Sequence, residues 1–234
     1  MISHKQILQK NIDYREAMRI QESLSKKVVL PDGKRFSYSS GSLIIAGTDV
    51  SYSRTGKYST AVAGIIVMKY GSWEIIEQVY AVQEISFPYI PGLLSFRELP
   101  ALMMAFEKLQ TMPDIWLVDG AGIAHPRRLG LAAHFGVTID QPTIGVAKSR
   151  LMGTHEEVSP EKGSQVPLKD RGEVIGAVLR SRTDVRPLYI SPGHRLSIVQ
   201  APEIVLSCCV KYRLPEPTRA AHNFVTRIKT EVLK

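Results

Sequence analysis

The stretch Pro113–Gly136, PDIWLVDGAGIAHPRRLGLAAHFG, constrains this chain more than any other. Ile115, Trp116, Leu117 and Val118 form a short apolar run flanked by turn residues, the pattern of a buried strand. The run ends on a carboxylate, Asp119. Gly120 and Gly122 keep the backbone bare enough for a ligand to approach closely. His125, Arg127 and Arg128 then bring a proton-transfer or ligand group and two cations. Leu129–Phe135 reads as a short helix. A carboxylate leaving a buried strand beside open glycines and paired arginines suits a metal ion acting on a phosphate ester. Asp-Gly is also a common turn dipeptide, so that chemistry needs partners elsewhere in the chain.

Composition bears on which partners to expect. The chain has 234 residues, 44% hydrophobic and 22% charged, enough for one substantial core. A single domain over 1–234 is expected, with a helical extension over about residues 1–30. Thirty Lys plus Arg against 22 Asp plus Glu leave a formal charge of +8, which favours an anionic partner, nucleic acid first. Many basic proteins are basic only for solubility, so the charge adds weight to a site without replacing one. Cys208 and Cys209 are adjacent and cannot easily meet disulfide geometry with each other, which points to a reducing, cytoplasmic setting. The first residues are broken by charge throughout, unlike a secretory signal. No apolar run approaches the roughly 20 residues that span a bilayer.

Taken in order, residues 3–28 read as an amphipathic helix, with Ile7, Leu8, Ile12, Met18 and Leu24 near helical spacing. Packing is its simplest role. Pro31-Asp32-Gly33 reads as a turn. Leu43–Ser53 starts as a buried strand and then places Asp49 among small and polar residues. Thr60–Lys69 and Trp73–Ile85 are strands joined by a tight turn at Tyr70-Gly71-Ser72, so an antiparallel meander is expected. Leu93–Gln110 reads as a helix carrying Glu98, with Leu102, Phe106 and Leu109 on one face. The strand ending at Asp119 and the short helix follow, then a buried strand Pro142–Ser149 that reaches Lys148. Met152–Gly172 is polar and reads as a surface loop. Glu173–Arg182 and Leu188–Ser191 suggest two more strands. Pro192-Gly193 precedes a helix from about Leu196 to Lys211, and a last helix after Pro215 and Pro217 contains His222.

This order predicts an α/β fold of ribonuclease H-like architecture. Its central mixed sheet has three antiparallel meander strands followed by helix-connected strands, with helices on its flanks. In that architecture acids on the first strand, the first helix, the fourth strand and a late helix converge. Asp49, Glu98, Asp119 and His222 occupy those stations. Hydrolysing a phosphodiester needs a strong nucleophile made from water and neutralisation of the leaving oxygen, and Mg²⁺ can serve both ends. Asp49 and Asp119, with Glu98 nearby or acting through water, suit a Mg²⁺ site, because Mg²⁺ takes few carboxylates and keeps waters. Without a cation the three acids would repel one another. His222 completes the shell or is a plain surface group. Lys148 meets a substrate phosphate or is simply solvated. His125 positions water or phosphate, or bonds to a turn backbone. Arg127 and Arg128 grip the nucleic-acid backbone or are solvated.

Pro88, Tyr89, Ile90, Pro91 and Gly92 form a proline-stiffened loop that presents Tyr89 and Ile90. An enzyme that inspects a base inside a duplex needs something to replace it in the stack, and a rigid apolar wedge lowers that cost. Gly92, Leu94, Gly120, Gly130 and Leu131 then line a tight pocket where backbone groups read the flipped base. The plainer reading is a rigid surface turn.

The strings DVSY (Asp49–Tyr52), PYIPGLLSFRE (Pro88–Glu98), DGAGIAHPRRLGLAAHFG (Asp119–Gly136), IGVAKSRLMG (Ile144–Gly153), SPGHRLS (Ser191–Ser197) and RLPEPTRAAH (Arg213–His222) resemble the endonuclease V family, in the same order. The resemblance implies a Mg²⁺-dependent repair nuclease, with Mn²⁺ as a substitute. It would recognise deaminated purines, chiefly deoxyinosine, in DNA and cut the second phosphodiester bond 3′ to the lesion. By similarity Asp49 and Asp119 are metal ligands, Glu98 supports metal or water, and His222 stands near the metal. Lys148 and His125 match positions tied to catalysis or phosphate binding, and the PYIP loop is the strand-separating wedge. Ala121 departs from the polar residue often found in relatives. Two alternatives stay open: inosine-containing RNA as the main substrate, and a non-catalytic nucleic-acid-binding module. A monomer is the default expectation.

Overall fold

The computed structural model describes residues 12–31, 43–55 and 58–232. Ile7 and Leu8 of the expected first helix, and Asp32 and Gly33 of the expected turn, lie outside the described residues. The first described helix, α1 (Tyr14–Ser25), starts where Asp13 caps it by accepting from the N–H groups of Arg15 and Glu16.

One eight-stranded sheet organises the molecule, in the order β3-β2-β1-β4-β5-β8-β7-β6. Strands β1 (Ile44–Thr55), β2 (Tyr58–Lys69) and β3 (Ile75–Glu84) form the expected antiparallel meander. Helix α2 (Ser95–Phe106) then carries the chain across to β4 (Ile115–Val118), which pairs in parallel with β1. Helix α3 (Leu131–Ile139) leads to β5 (Thr143–Ala147), parallel to β4. This half is the ribonuclease H-like arrangement predicted above. The sheet continues through β8 (Leu188–His194), β7 (Glu173–Leu179) and β6 (Gln165–Asp170), all antiparallel to their neighbours. Helices α4 (Gln200–Ser207) and α5 (Glu216–Val232) close the chain.

Register places the acids. Thr48 pairs with Val118 as the last β1–β4 partners, so Asp49 and Asp119 are the next residue on each of two neighbouring strands. The Asp119 N–H donates to Thr48 O at 3.3 Å. Leu99, Leu102, Trp116 and Phe135 are buried where α2 and α3 cover one face of the sheet. On the other face α5 packs Ala221, Phe224, Val225 and Ile228 onto Val62, Ile66 and Met68. The start of α5 comes so close to β1 that a Cβ on Gly47 would stand 2.1 Å from the Pro217 carbonyl. That approach brings His222 over Asp49.

Three expectations are corrected. Gln165–Asp170, inside the expected Met152–Gly172 loop, is strand β6. It is an edge strand with only Leu168 buried, so its polar sequence and Pro167 resemble a loop. Pro192 and Gly193 lie inside β8, where the pairing with β5 shifts register, and the helix that follows covers only Gln200–Ser207. The last helix begins at Glu216, so Pro217 sits in its first turn, where its missing N–H costs little. Cys208 and Cys209 are buried free thiols.

Candidate active site

The three acids converge at the C-terminal end of β4. Asp49 is 7% exposed and Glu98 6%, and the Asp119 carboxyl lies within hydrogen-bonding reach of Asp49. Burial, reinforced by Asp119, pushes Asp49 up to about 6. Burial also pushes Glu98 up to about 8, with Asp119 and Asp49 adding to the effect. Both shifts record negative charge gathered in a dry place. Among the described residues, two basic side chains bond to these acids. The Lys148 ammonium donates to Asp119 Oδ2, and His222 Nδ1 stands 2.9 Å from Asp49 Oδ2. Tyr52, three residues along β1 from Asp49, donates its hydroxyl to Glu98 Oε1 at 2.6 Å, and Arg97 lies over its ring.

Among the described residues no three His, Cys, Asp or Glu side chains close into a ready-made metal cage. The donor set instead fits an oxygen-loving cation that keeps its waters, held by Asp49 and Asp119 with Glu98 close by. The fit rests on the raised pKa values of Asp49 and Glu98, since a divalent cation relieves the repulsion that raises them.

Of the two readings open for His125, the structure shows the bond to backbone. The histidine is 3% exposed, and both ring nitrogens meet backbone groups. Its Nε2 donates to Gly92 O at 2.9 Å, and its Nδ1 accepts from the Arg127 N–H at 3.2 Å. Burial, with Arg127 next, holds it down to about 4, so it is neutral at pH 7. Gly92 O takes two further donors, Arg127 Nη2 at 2.7 Å and Gln21 Nε2 at 3.1 Å. Gln21, fully buried in α1, also donates to Leu129 O and accepts from Arg127 Nε. One carbonyl thus ties the proline loop to α1 and to the segment after Asp119. Arg128 is committed to the β6–β7 hairpin through Asp170 and Glu173.

Above this junction lies a pocket of about 130 Å³. Gly92, Leu94, Gly130 and Leu131 line it, as the sequence suggested, joined by Tyr89, Ile90 and Pro91 of the proline loop and by His125, Ser95, Ala121 and Leu151. Tyr89 is 70% exposed at its rim. Pro88, Gly120, Gly122 and Arg127 are not on its wall. Gly122 and Gly130 are bare for packing rather than for a ligand. A Cβ on Gly122 would stand 2.1 Å from Pro192 O, and one on Gly130 2.3 Å from Ala121 O. Gly120 has φ +153° and faces Leu131. Ser95, Leu151, Gln21 and Tyr52 were missed by sequence reasoning. Only Gln21 left a signal, as a polar residue at helical spacing within the buried stripe Ala17, Ile20 and Leu24.

The family model for endonuclease V matches residues 12–223. The chain belongs to the endonuclease V family. Endonuclease V of Rippkaea orientalis is 53% identical over 206 residues, 88% of this chain and 87% of the relative. Among solved structures, endonuclease V of Streptomyces avermitilis superposes with a TM-score of 0.88 at 35% identity, covering 97% of each chain. Endonuclease V of Ciona intestinalis, in complex with a 24mer DNA containing an inosine followed by a ribo-adenosine, superposes at 0.79 with 28% identity. It covers 93% of this chain and 98% of that one. As an endonuclease V, the chain is a nucleic-acid-binding hydrolase of a family whose nucleases are generally metal-dependent. No helix among the described residues is long and apolar enough to cross a membrane.

Proposed function

We propose that this chain is a Mg²⁺-dependent repair endonuclease. It recognises deaminated purines, chiefly deoxyinosine, and cuts the second phosphodiester bond 3′ to the lesion, leaving 3′-hydroxyl and 5′-phosphate ends. The observation that carries this reading is the junction of two sites by one short segment. Asp119 belongs to the acid cluster, and Ala121, His125, Gly130 and Leu131, a few residues on, line a pocket under an exposed tyrosine. The inosine-containing DNA held by the Ciona relative supports the lesion class.

Asp49 and Asp119 would hold the metal directly, and Glu98 would hold it or one of its waters. Bound there, Mg²⁺ supplies a water of lowered pKa and neutralises charge on the leaving oxygen. Mn²⁺ would substitute, having similar oxygen preferences. His222 orients the Asp49 carboxylate. Lys148, at the end of β5, offsets charge on Asp119 and on the scissile phosphate. Tyr89 fills the gap left in the stack by the extruded base, and the pocket receives that base. Three acids facing a polyanion would only weaken a pure binding module, which disfavours the non-catalytic reading.

The ribo-adenosine after the inosine in the Ciona complex favours a second reading, in which inosine-containing RNA is also cut. We read residues 1–234 as one domain acting as a monomer, because Gln21 ties the N-terminal helix into the site itself. Labelled duplexes with a single inosine, in DNA, RNA and hybrid forms, test all of this with Mg²⁺ or EDTA. A Mg²⁺-dependent nick directly after the lesion's 3′ neighbour is expected in DNA. No nick in any form would overturn the enzyme reading.

A further inference from the structure

Arg213 sits half-buried in the segment between α4 and α5, and its side chain spans three backbone carbonyls. Its Nε donates to Arg186 O at 2.7 Å, and its Nη2 donates to Pro187 O and to Lys148 O, each at 2.9 Å. The Arg213 carbonyl is held in turn by the Ser181 hydroxyl, which donates to it at 2.6 Å. One guanidinium thus joins the end of β5, the approach to β8 and the approach to α5. Burial, with the Arg186 charge next, pushes Arg213 down, and the charge of Asp119 acts against them.

Lys148 is the site residue that this clamp holds. The β4–β5 ladder ends at Gly145 and the β5–β8 ladder at Ala147, so Lys148 is the first residue of this segment beyond the sheet pairing. Its carbonyl lies past the last strand partner, and Arg213 supplies the donor there. A lysine side chain is a long flexible stem, so its ammonium is placed only as well as its backbone is fixed. Here the ammonium donates to Asp119. A planar guanidinium spreads five N–H groups over a rigid fork and can reach three carbonyls at once, whereas an ammonium gathers its donors at one point.

We propose that Arg213 is a positioning residue for the cleavage step: it fixes the Lys148 main chain where the sheet no longer does, and so sets the ammonium between Asp119 and the scissile phosphate. This rests on the role of Lys148 argued above. Arg213 acts through Lys148 and needs no contact with the nucleic acid.

The test is a double-mutant cycle of Arg213→Gln and Lys148→Ala, read as the single-turnover cleavage rate of an inosine duplex at saturating enzyme in Mg²⁺. Duplex affinity is measured alongside in EDTA. Saturation keeps a reduced folded fraction from moving the rate. Arg213→Gln should slow cleavage by about 10- to 100-fold, the scale of a misplaced catalytic group, while affinity stays within about threefold. Lys148→Ala should slow it at least as much. Adding Arg213→Gln to Lys148→Ala should cost no more than about a further twofold, because nothing is left to position. Arg213→Lys keeps the charge and loses the fork, so it should remain slow, and it carries the same cycle if Arg213→Gln does not fold. Equal losses in the wild-type and Lys148→Ala backgrounds would overturn the proposal, since a merely structural arginine gives that result. A wild-type rate in Arg213→Lys would also overturn it, leaving charge alone as the requirement. So would a loss confined to duplex affinity, which would make Arg213 a phosphate contact. A wild-type rate in Lys148→Ala removes Lys148 from the reaction, and this proposal with it, while the nuclease reading stands. Only a wild-type chain that cuts nothing refutes the nuclease reading.

Discussion

Asp119 stands where two strands, a lysine and a bare backbone turn meet, so its removal should separate cutting from binding. Asp119→Ala should lower the cleavage rate at least about a thousandfold in single-turnover assays while changing affinity for inosine duplex by less than about threefold. Charge crowding at this site makes a second outcome measurable without substrate. The proposed Mg²⁺ site exists only in the folded chain, so millimolar Mg²⁺ should raise the thermal midpoint in scanning calorimetry, and the shift should vanish in Asp49→Ala and Asp119→Ala. His125 gives a pH dependence whose sign follows from its depressed value of about 4. Unfolded histidine titrates near 6.5, so its contribution is fully present above about pH 6.5 and is lost as the pH falls from there towards 4. The loss at pH 5 is about 2 kcal/mol. His125→Gln should be less stable than wild type at pH 7 in urea titrations, yet should lose less between pH 7 and pH 5.

In the proposed function the proline loop is the element that recognises the lesion, and its base is fixed while Tyr89 at its tip is exposed. Tyr89 is 70% exposed, so Tyr89→Ala should leave the thermal midpoint unchanged while weakening inosine binding about tenfold or more. Gln21→Ala acts at the base instead. It removes one of three donors to Gly92 O and leaves Leu129 O without a donor from α1, so it should cost about 1–3 kcal/mol in urea titrations and weaken lesion binding as well. The elements and residues of this site differ in how legible they were in the sequence. The apolar run at Ile115–Val118 and the meander announced themselves by pattern, because each buries residues at a fixed period. The acids were legible because strand ends are where side chains leave the sheet. Gln21, Ser95 and Tyr52 were not, since each is placed through a partner at least 39 residues away. His125 was legible as important, with its role left open between phosphate and backbone. A histidine between a proline and a glycine-rich turn looks the same whether it faces a phosphate or a carbonyl. Strand β6 was lost for the opposite reason, since an exposed edge strand buries too little to show a period.

At the scale of the molecule, a formal charge of +8 and a cluster of buried acids act in opposite senses on the same ligand. The basic surface draws the duplex in, and log affinity should fall linearly with log salt, equally for inosine and unmodified duplex. Discrimination between the two should survive the salt that weakens both, because the proposed function places it in the pocket. The sheet carries a separate consequence. Asp49 and Asp119 extend the last paired residues of β1 and β4, two strands at its centre with neighbours on both sides. Backbone amides there open only when the whole sheet does, whereas the loop bearing Tyr89 opens alone. Native-state hydrogen exchange should therefore divide the protein in two: protons near the acids should last as long as the fold itself, while those around the wedge turn over quickly. The proposed function would then entrust bond cutting to the slowest-exchanging part of the chain, and damage sensing to one of the fastest.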